Sequence, residues 1–157
     1  MPVLEVDGKF YSQSGAIRKY LARKYDLYPT DSWEQYLTDN LEESLVDFFT
    51  GLLKMKDLKD DAKKEAFITF VTTTATSCFR VWEHRLKENT SQDFFVGDRL
   101  TYADTGLVML YANVLNRGET KAAFADLLEA HPTLKAYFET RYEAHRDYFD
   151  NRPDCPF

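Results

Sequence analysis

The run Val3-Leu4-Glu5-Val6-Asp7-Gly8-Lys9-Phe10-Tyr11-Ser12-Gln13-Ser14 decides the fold, because it is the only β-like segment in a chain of 157 residues. Asp7-Gly8 is a dipeptide favoured at two-residue hairpin turns, where both central positions take positive φ. Val3 to Val6 and Lys9 to Tyr11 therefore read as the two arms of a hairpin. Ser12-Gln13-Ser14 offers hydroxyl caps to a helix, and Ala16, Ile17, Tyr20 and Leu21 recur at helical spacing up to Tyr25. Pro29, among Tyr28, Thr30 and Asp31, ends that helix and starts a short linker.

Everything beyond Pro29 reads as helical. Trp33, Leu37, Leu41, Leu45, Phe48, Phe49 and Leu52 line one face of a first long helix, with acidic residues opposite. The charged residues 54–64 separate it from a second, carrying Phe67, Phe70, Val71, Cys78, Val81, Trp82 and Leu86. Thr101-Tyr102-Ala103-Asp104 has the spacing of a capping box. The helix after it, with Leu107, Val108, Leu110, Tyr111, Val114 and Leu115, is apolar on nearly every side, which predicts the buried centre. Two more amphipathic segments cover residues 121–130 and 132–149. The expected fold is mostly α: one ββα unit, a linker and a five-helix bundle.

Composition narrows the function. Lys and Arg total 20 against 26 Asp and Glu, a net charge of −6 with no local basic patch, so nucleic acid is not an expected partner. The cysteines Cys78 and Cys155 make no disulfide framework, and three scattered histidines have no metal-ligand spacing. Cys78, on an apolar helix face, reads as a small hydrophobe. No stretch has the length and apolarity to span a bilayer. Residues 1–8 lack a secretory pattern, so the expected location is the cytoplasm.

The residues Met1-Pro2-Val3-Leu4-Glu5-Val6-Asp7-Gly8, Ser12-Gln13-Ser14, Ala16-Ile17 and Tyr20-Leu21 resemble the glutathione S-transferase family. The likeness is to its sigma class, which includes prostaglandin D synthases and S-crystallins. Gly97-Asp98-Arg99-Leu100-Thr101-Tyr102-Ala103-Asp104 is similar to the family's capping box before its central helix, and Arg152-Pro153 to the sigma-class tail. The resemblance implies part of a thioredoxin-like domain over residues 1–28 and an all-helical domain over residues 29–157. It also implies that the family's opening βαβ unit, which carries the catalytic tyrosine, precedes the hairpin and is not represented here. No tyrosine of this chain matches that role.

By the same resemblance, Gln13 and Ser14 hold the γ-glutamyl carboxylate of glutathione. Met1 stands before the family's cis-proline, where the backbone pairs with the cysteinyl part. Asp47 matches an acid that reaches the glutathione amino group of a neighbouring subunit. From the residues alone, Ser12-Gln13-Ser14 is a helix cap and Asp47 a solvated acid. Implied functions are glutathione conjugation or isomerisation, completed by the βαβ unit, or a non-catalytic structural subunit of the same fold. A strand over residues 3–7 without its family neighbour has an open edge, so another polypeptide or a second copy is expected against it.

Overall fold

The computed structural model describes residues 2–153. Strands β1 (Leu4–Val6) and β2 (Lys9–Tyr11) pair antiparallel in the register Leu4↔Tyr11, Glu5↔Phe10 and Val6↔Lys9. Asp7 and Gly8 have φ of 51° and 73°, the left-handed pair that the sequence demands of this turn. Helix α1 (Ser14–Lys24) follows, then α2 (Ser32–Leu53). Next come α3 (Asp60–Phe70) and α4 (Thr76–Glu88), joined without a break through a π-helical turn over Val71–Ala75. The central helix α5 (Tyr102–Leu110) runs into a second π turn, Tyr111–Leu115. Helices α6 (Gly118–Glu129), α7 (Pro132–Ala144) and α8 (Arg146–Asn151) complete the bundle. The protein is thus mostly helical, with one two-stranded sheet among the described residues.

Four local expectations need correction. No side-chain cap closes the start of α1: Gln13 occupies the cap position at φ 70° and ψ 106°. The charged stretch is not wholly a spacer, because α3 begins at Asp60, with Asp60 and Asp61 complementing the helix dipole in its first turn. The segment after Pro132 breaks at His145, whose ring Nδ1 lies 2.8 Å from the Arg141 carbonyl while its backbone N–H bonds to Tyr142 instead. A side chain that takes the i−4 carbonyl competes with the helix ladder. Trp33 faces outward, 63% exposed and stacked on Tyr36 at 5.1 Å between ring centroids.

The core of the bundle is aromatic. Phe48 of α2 packs against Phe70, Trp82 and Phe124, and Phe79 packs against Trp82 and Phe124. Trp82 donates from Nε1 to Ser44 Oγ at 2.7 Å, so its one polar atom is satisfied on burial. Leu107, Leu110 and Leu115 put α5 and its π extension at the centre, as their apolar pattern requires.

Asp104 fixes how α5 begins. Its carboxylate is fully buried yet accepts four hydrogen bonds. Oδ2 takes the Thr101 backbone N–H at 2.8 Å and hydroxyl at 2.6 Å. Oδ1 takes the Phe95 N–H at 3.0 Å and the Tyr137 hydroxyl at 2.6 Å. The capping box therefore also ties the 95–101 loop and α7 to the central helix.

Helix α1 is seated on the bundle through Asp39 of α2. This carboxylate accepts from Lys19 Nζ at 2.7 Å, Tyr102 Oη at 2.7 Å and Tyr28 Oη at 3.0 Å. Ala22, Tyr28 and Tyr102 form a small apolar cluster beside it, and the Tyr102 backbone N–H bonds to the Leu27 carbonyl. Burial works against ionisation of Asp39, but hydrogen bonds from Lys19, Tyr102 and Tyr28 outweigh it and hold the carboxyl below its usual range.

Two outcomes follow for stability. Asp104→Ala leaves two backbone N–H groups and two hydroxyls without their partner, and urea unfolding should show a loss of about 3 kcal/mol or more, against about 1 kcal/mol for Tyr137→Phe. Asp39, with its folded value depressed, stabilises the protein above the ordinary carboxylate range, and this contribution is lost as pH falls through the folded value. Acid titration of thermal stability should accordingly show a shallower acid limb in Asp39→Asn than in the parent chain.

Candidate functional site

Gln13 and Ser14 sit side by side at the exposed N-terminal end of α1. The Gln13 carbonyl accepts the Ile17 N–H at 3.0 Å and so closes the first turn. The N–H groups ahead of Ile17 have no partner within the helix, and the positive end of the helix dipole lies there. Gln13 holds its conformation at positive φ, where a side chain other than glycine is strained. Strain of this kind is kept where the surroundings fix it, and it clusters at ligand clamps. The arrangement is chemically suited to an anion such as a carboxylate.

Asp47 does not join this pair. It is exposed on α2, and no hydrogen bond or ion pair connects it to Gln13 or Ser14 among the described residues. Its negative charge acts instead on Cys78 of α4. Burial, followed by this charge, pushes the Cys78 thiol up to about 11. A thiol held so far from ionisation is a packing group and not a nucleophile. Met1 and Cys155 lie outside the described residues. Among the described residues no cluster of His, Cys, Asp and Glu could hold a metal ion, and no helix is long and apolar enough to cross a membrane.

One turn along α1 from Ser14, a cleft of about 370 Å³ opens between α1, α2 and α5. Leu21, Leu27, Leu45, Phe49, Met109 and Leu110 supply apolar walls, and Arg18 stands among them. A second hollow of about 390 Å³, between α5 and α7–α8, shares Thr105 and Met109 with the first. The outward side of α5 is thus an apolar trough, although the rest of that helix is core.

Beside the cleft lies a pair that sequence reading missed. Glu42 of α2 is only 4% exposed, and its Oε2 lies 2.9 Å from Arg18 Nη1. Neither Glu42 oxygen, nor Arg18 Nε, has a hydrogen-bond partner among the described residues. Burial raises Glu42 to about 7, against the pull of Arg18. The signal in the sequence was complementary charge: Arg18 and Lys19 on α1 against Asp39 and Glu42 on α2. Two tyrosines near this seam are already committed. Tyr28 and Tyr102 both donate to Asp39, and burial with that carboxylate raises both phenols.

Comparison with known proteins places this geometry. Residues 46–146 match the family model for the glutathione S-transferase C-terminal domain. Rat glutathione S-transferase alpha-1 is 32% identical over 139 residues, covering 87% of this chain and 59% of the relative. Chicken hematopoietic prostaglandin D synthase is 30% identical over 148 residues, covering 90% of this chain and 72% of that protein. The crystal structure of Na-GST-3, a glutathione S-transferase from the hookworm Necator americanus, superposes with a TM-score of 0.80 at 27% identity. That match covers all of this chain and 76% of the hookworm protein. The chain spans only 59% of the length of several of the curated relatives it matches. With the family's C-terminal domain matched over residues 46–146 and its fold reproduced throughout, the chain belongs to the glutathione S-transferase family as a sigma-like member.

Proposed function

We propose that this chain carries the γ-glutamyl half of a glutathione site, with Gln13 and Ser14 as the cradle. The observation that carries the reading is the strained Gln13 set at an uncapped helix start, on a fold whose relatives are glutathione S-transferases. The tripeptide's terminal carboxylate would accept from the free N–H groups of α1 and from the Ser14 hydroxyl, while the Gln13 side chain orients it. Residues 1–28 act as the C-terminal part of the thioredoxin-like domain and residues 29–157 as the helical domain. Asp47 is exposed and therefore free to reach the glutathione of a neighbouring subunit, and Met1 would supply the backbone contact to the cysteinyl part.

Conjugation or isomerisation needs a hydroxyl that stabilises the glutathione thiolate. Tyr28, Tyr102 and Tyr137 spend theirs on carboxylates, so these three are not available for that work. Transferase chemistry would then need a βαβ unit in addition to the residues of this chain. The apolar trough along α5 is suited to receive apolar groups from such a unit or from an electrophile.

The alternative is a structural subunit of the same fold. It is favoured by a hairpin whose sheet stops at two strands among the described residues, with Val3 and Phe10 61% and 72% exposed. A second copy or another protein along residues 3–7 would cover the open edge.

Thermal-shift titration separates the readings. Glutathione should stabilise the chain as RT ln(1 + [L]/Kd), about 2.7 kcal/mol at one hundred times Kd, and Ser14→Ala should remove most of it. No shift at millimolar glutathione would leave the structural reading in place. Fast exchange of the amides of residues 3–7 in a monodisperse monomer would count against a partner on that edge.

A further inference from the structure

Glu42 and Arg18 serve neither the Asp104 hub nor the proposed cradle, yet their placement costs the fold. A buried carboxylate usually survives by accepting several hydrogen bonds, and Glu42 accepts none. Its one ion-pair contact is the Arg18 guanidinium, whose side chain is 38% exposed and so keeps a route to water. The opposite wall is shaped to admit the carboxylate. Gly106 of α5 faces it, and a Cβ at that position would stand 2.6 Å from Glu42 Oε1 and 2.8 Å from Leu45 Cδ2. A Cβ there would make the Glu42 carboxylate or the Leu45 methyl shift.

We propose that the Arg18–Glu42 contact is a proton-operated latch that docks α1 on the bundle when Glu42 is protonated and loosens it when Glu42 is ionised. A neutral carboxyl fits the dry notch against Gly106 with little desolvation cost. An ionised one needs hydrogen bonds that the notch does not supply, and lifting α1 lets water provide them.

The surrounding groups set the working range. On α1, Arg18 and Lys19 favour the ionised form, although Lys19 is bonded to Asp39. On α2, Glu43 and Asp39 oppose it. From α5 come Gly106, which offers no side chain, and Tyr102, whose hydroxyl donates to Asp39. Burial outweighs them and puts the transition at about 7. The sign follows: a carboxyl whose folded value is raised adds stability below its unfolded value and loses it as pH climbs through the folded one. The dependence is opposite to that of Asp39 in the same seam. Because α1 carries Gln13 and Ser14, docking would also set the position of the glutathione cradle. That consequence rests on the proposed function, whereas the latch does not.

Hydrogen exchange on the full chain without glutathione tests the latch. Protection factors for α1 amides, referred to those of α4, should fall about tenfold between about pH 6 and about pH 8. Glu42→Gln keeps the shape without the charge, and its α1 protection should stay level across that range. Arg18→Met, which removes the opposing cation, should keep the fall but move it to higher pH. His84, His131 and His145 remain in every variant, so differences between the chains isolate the pair. A parent chain with level α1 protection, or a Glu42→Gln chain that loses protection as the parent does, would overturn the proposal. No ligand is present, so a failed latch and a failed cradle are told apart.

Discussion

A carboxylate removed from water must recover its hydrogen bonds from the protein, and Asp104 recovers four from three separate parts of the chain. That requirement fixes the start of α5, and the rest of the helical domain is arranged around α5. The 95–101 loop is held by the Phe95 amide and the Thr101 cap, and α7 by the Tyr137 hydroxyl. Because the cap sits beside Tyr102, the same helix start presents that phenol to Asp39 and the Tyr102 amide to Leu27. The ββα unit therefore rests on a surface that the buried carboxylate has positioned.

Three carboxylates make three uses of burial. Asp104 is fully satisfied and acts as a structural node. Asp39 is partly buried, gains a lysine and two phenols, and is held ionised. Glu42 is buried with one cation and no hydrogen bond, so its charge is the least secure of the three. The last two share one seam and respond to pH in opposite senses, which confines tight docking of α1 to an intermediate window. The position of Gln13 and Ser14 depends on that docking, so the electrostatics of the seam and the binding of an anion at the helix start are parts of one problem.

Much of this was legible in the residues because the relevant interactions are local. Asp7-Gly8 specifies its turn through two backbone angles, Thr101 to Asp104 form the capping box within four positions, and the apolar run after Asp104 marks the core. What was not legible depends on contacts distant in sequence or on competition at one residue. The pairing of Arg18 with Glu42 lies in a notch left by Gly106, 64 positions beyond Glu42. The positive φ of Gln13 is a backbone choice that a Ser-Gln-Ser capping pattern conceals. The break at His145 turns on a ring nitrogen taking a carbonyl, and Trp33 lies outside the core despite fitting the helical period. The family resemblance named Gln13 and Ser14 as the proposed cradle, whereas the seam of α1 with α2 and α5 behind them was not legible in the residues.

The central claim is that an anion of glutathione is held at the N-terminal end of α1. Amide chemical shifts measured during a glutathione titration test it residue by residue. The account predicts saturable shifts centred on Ser14, Gly15 and Ala16, with the α4 amides around Cys78 nearly unmoved. Saturable shifts centred elsewhere, or none at millimolar glutathione, would contradict it.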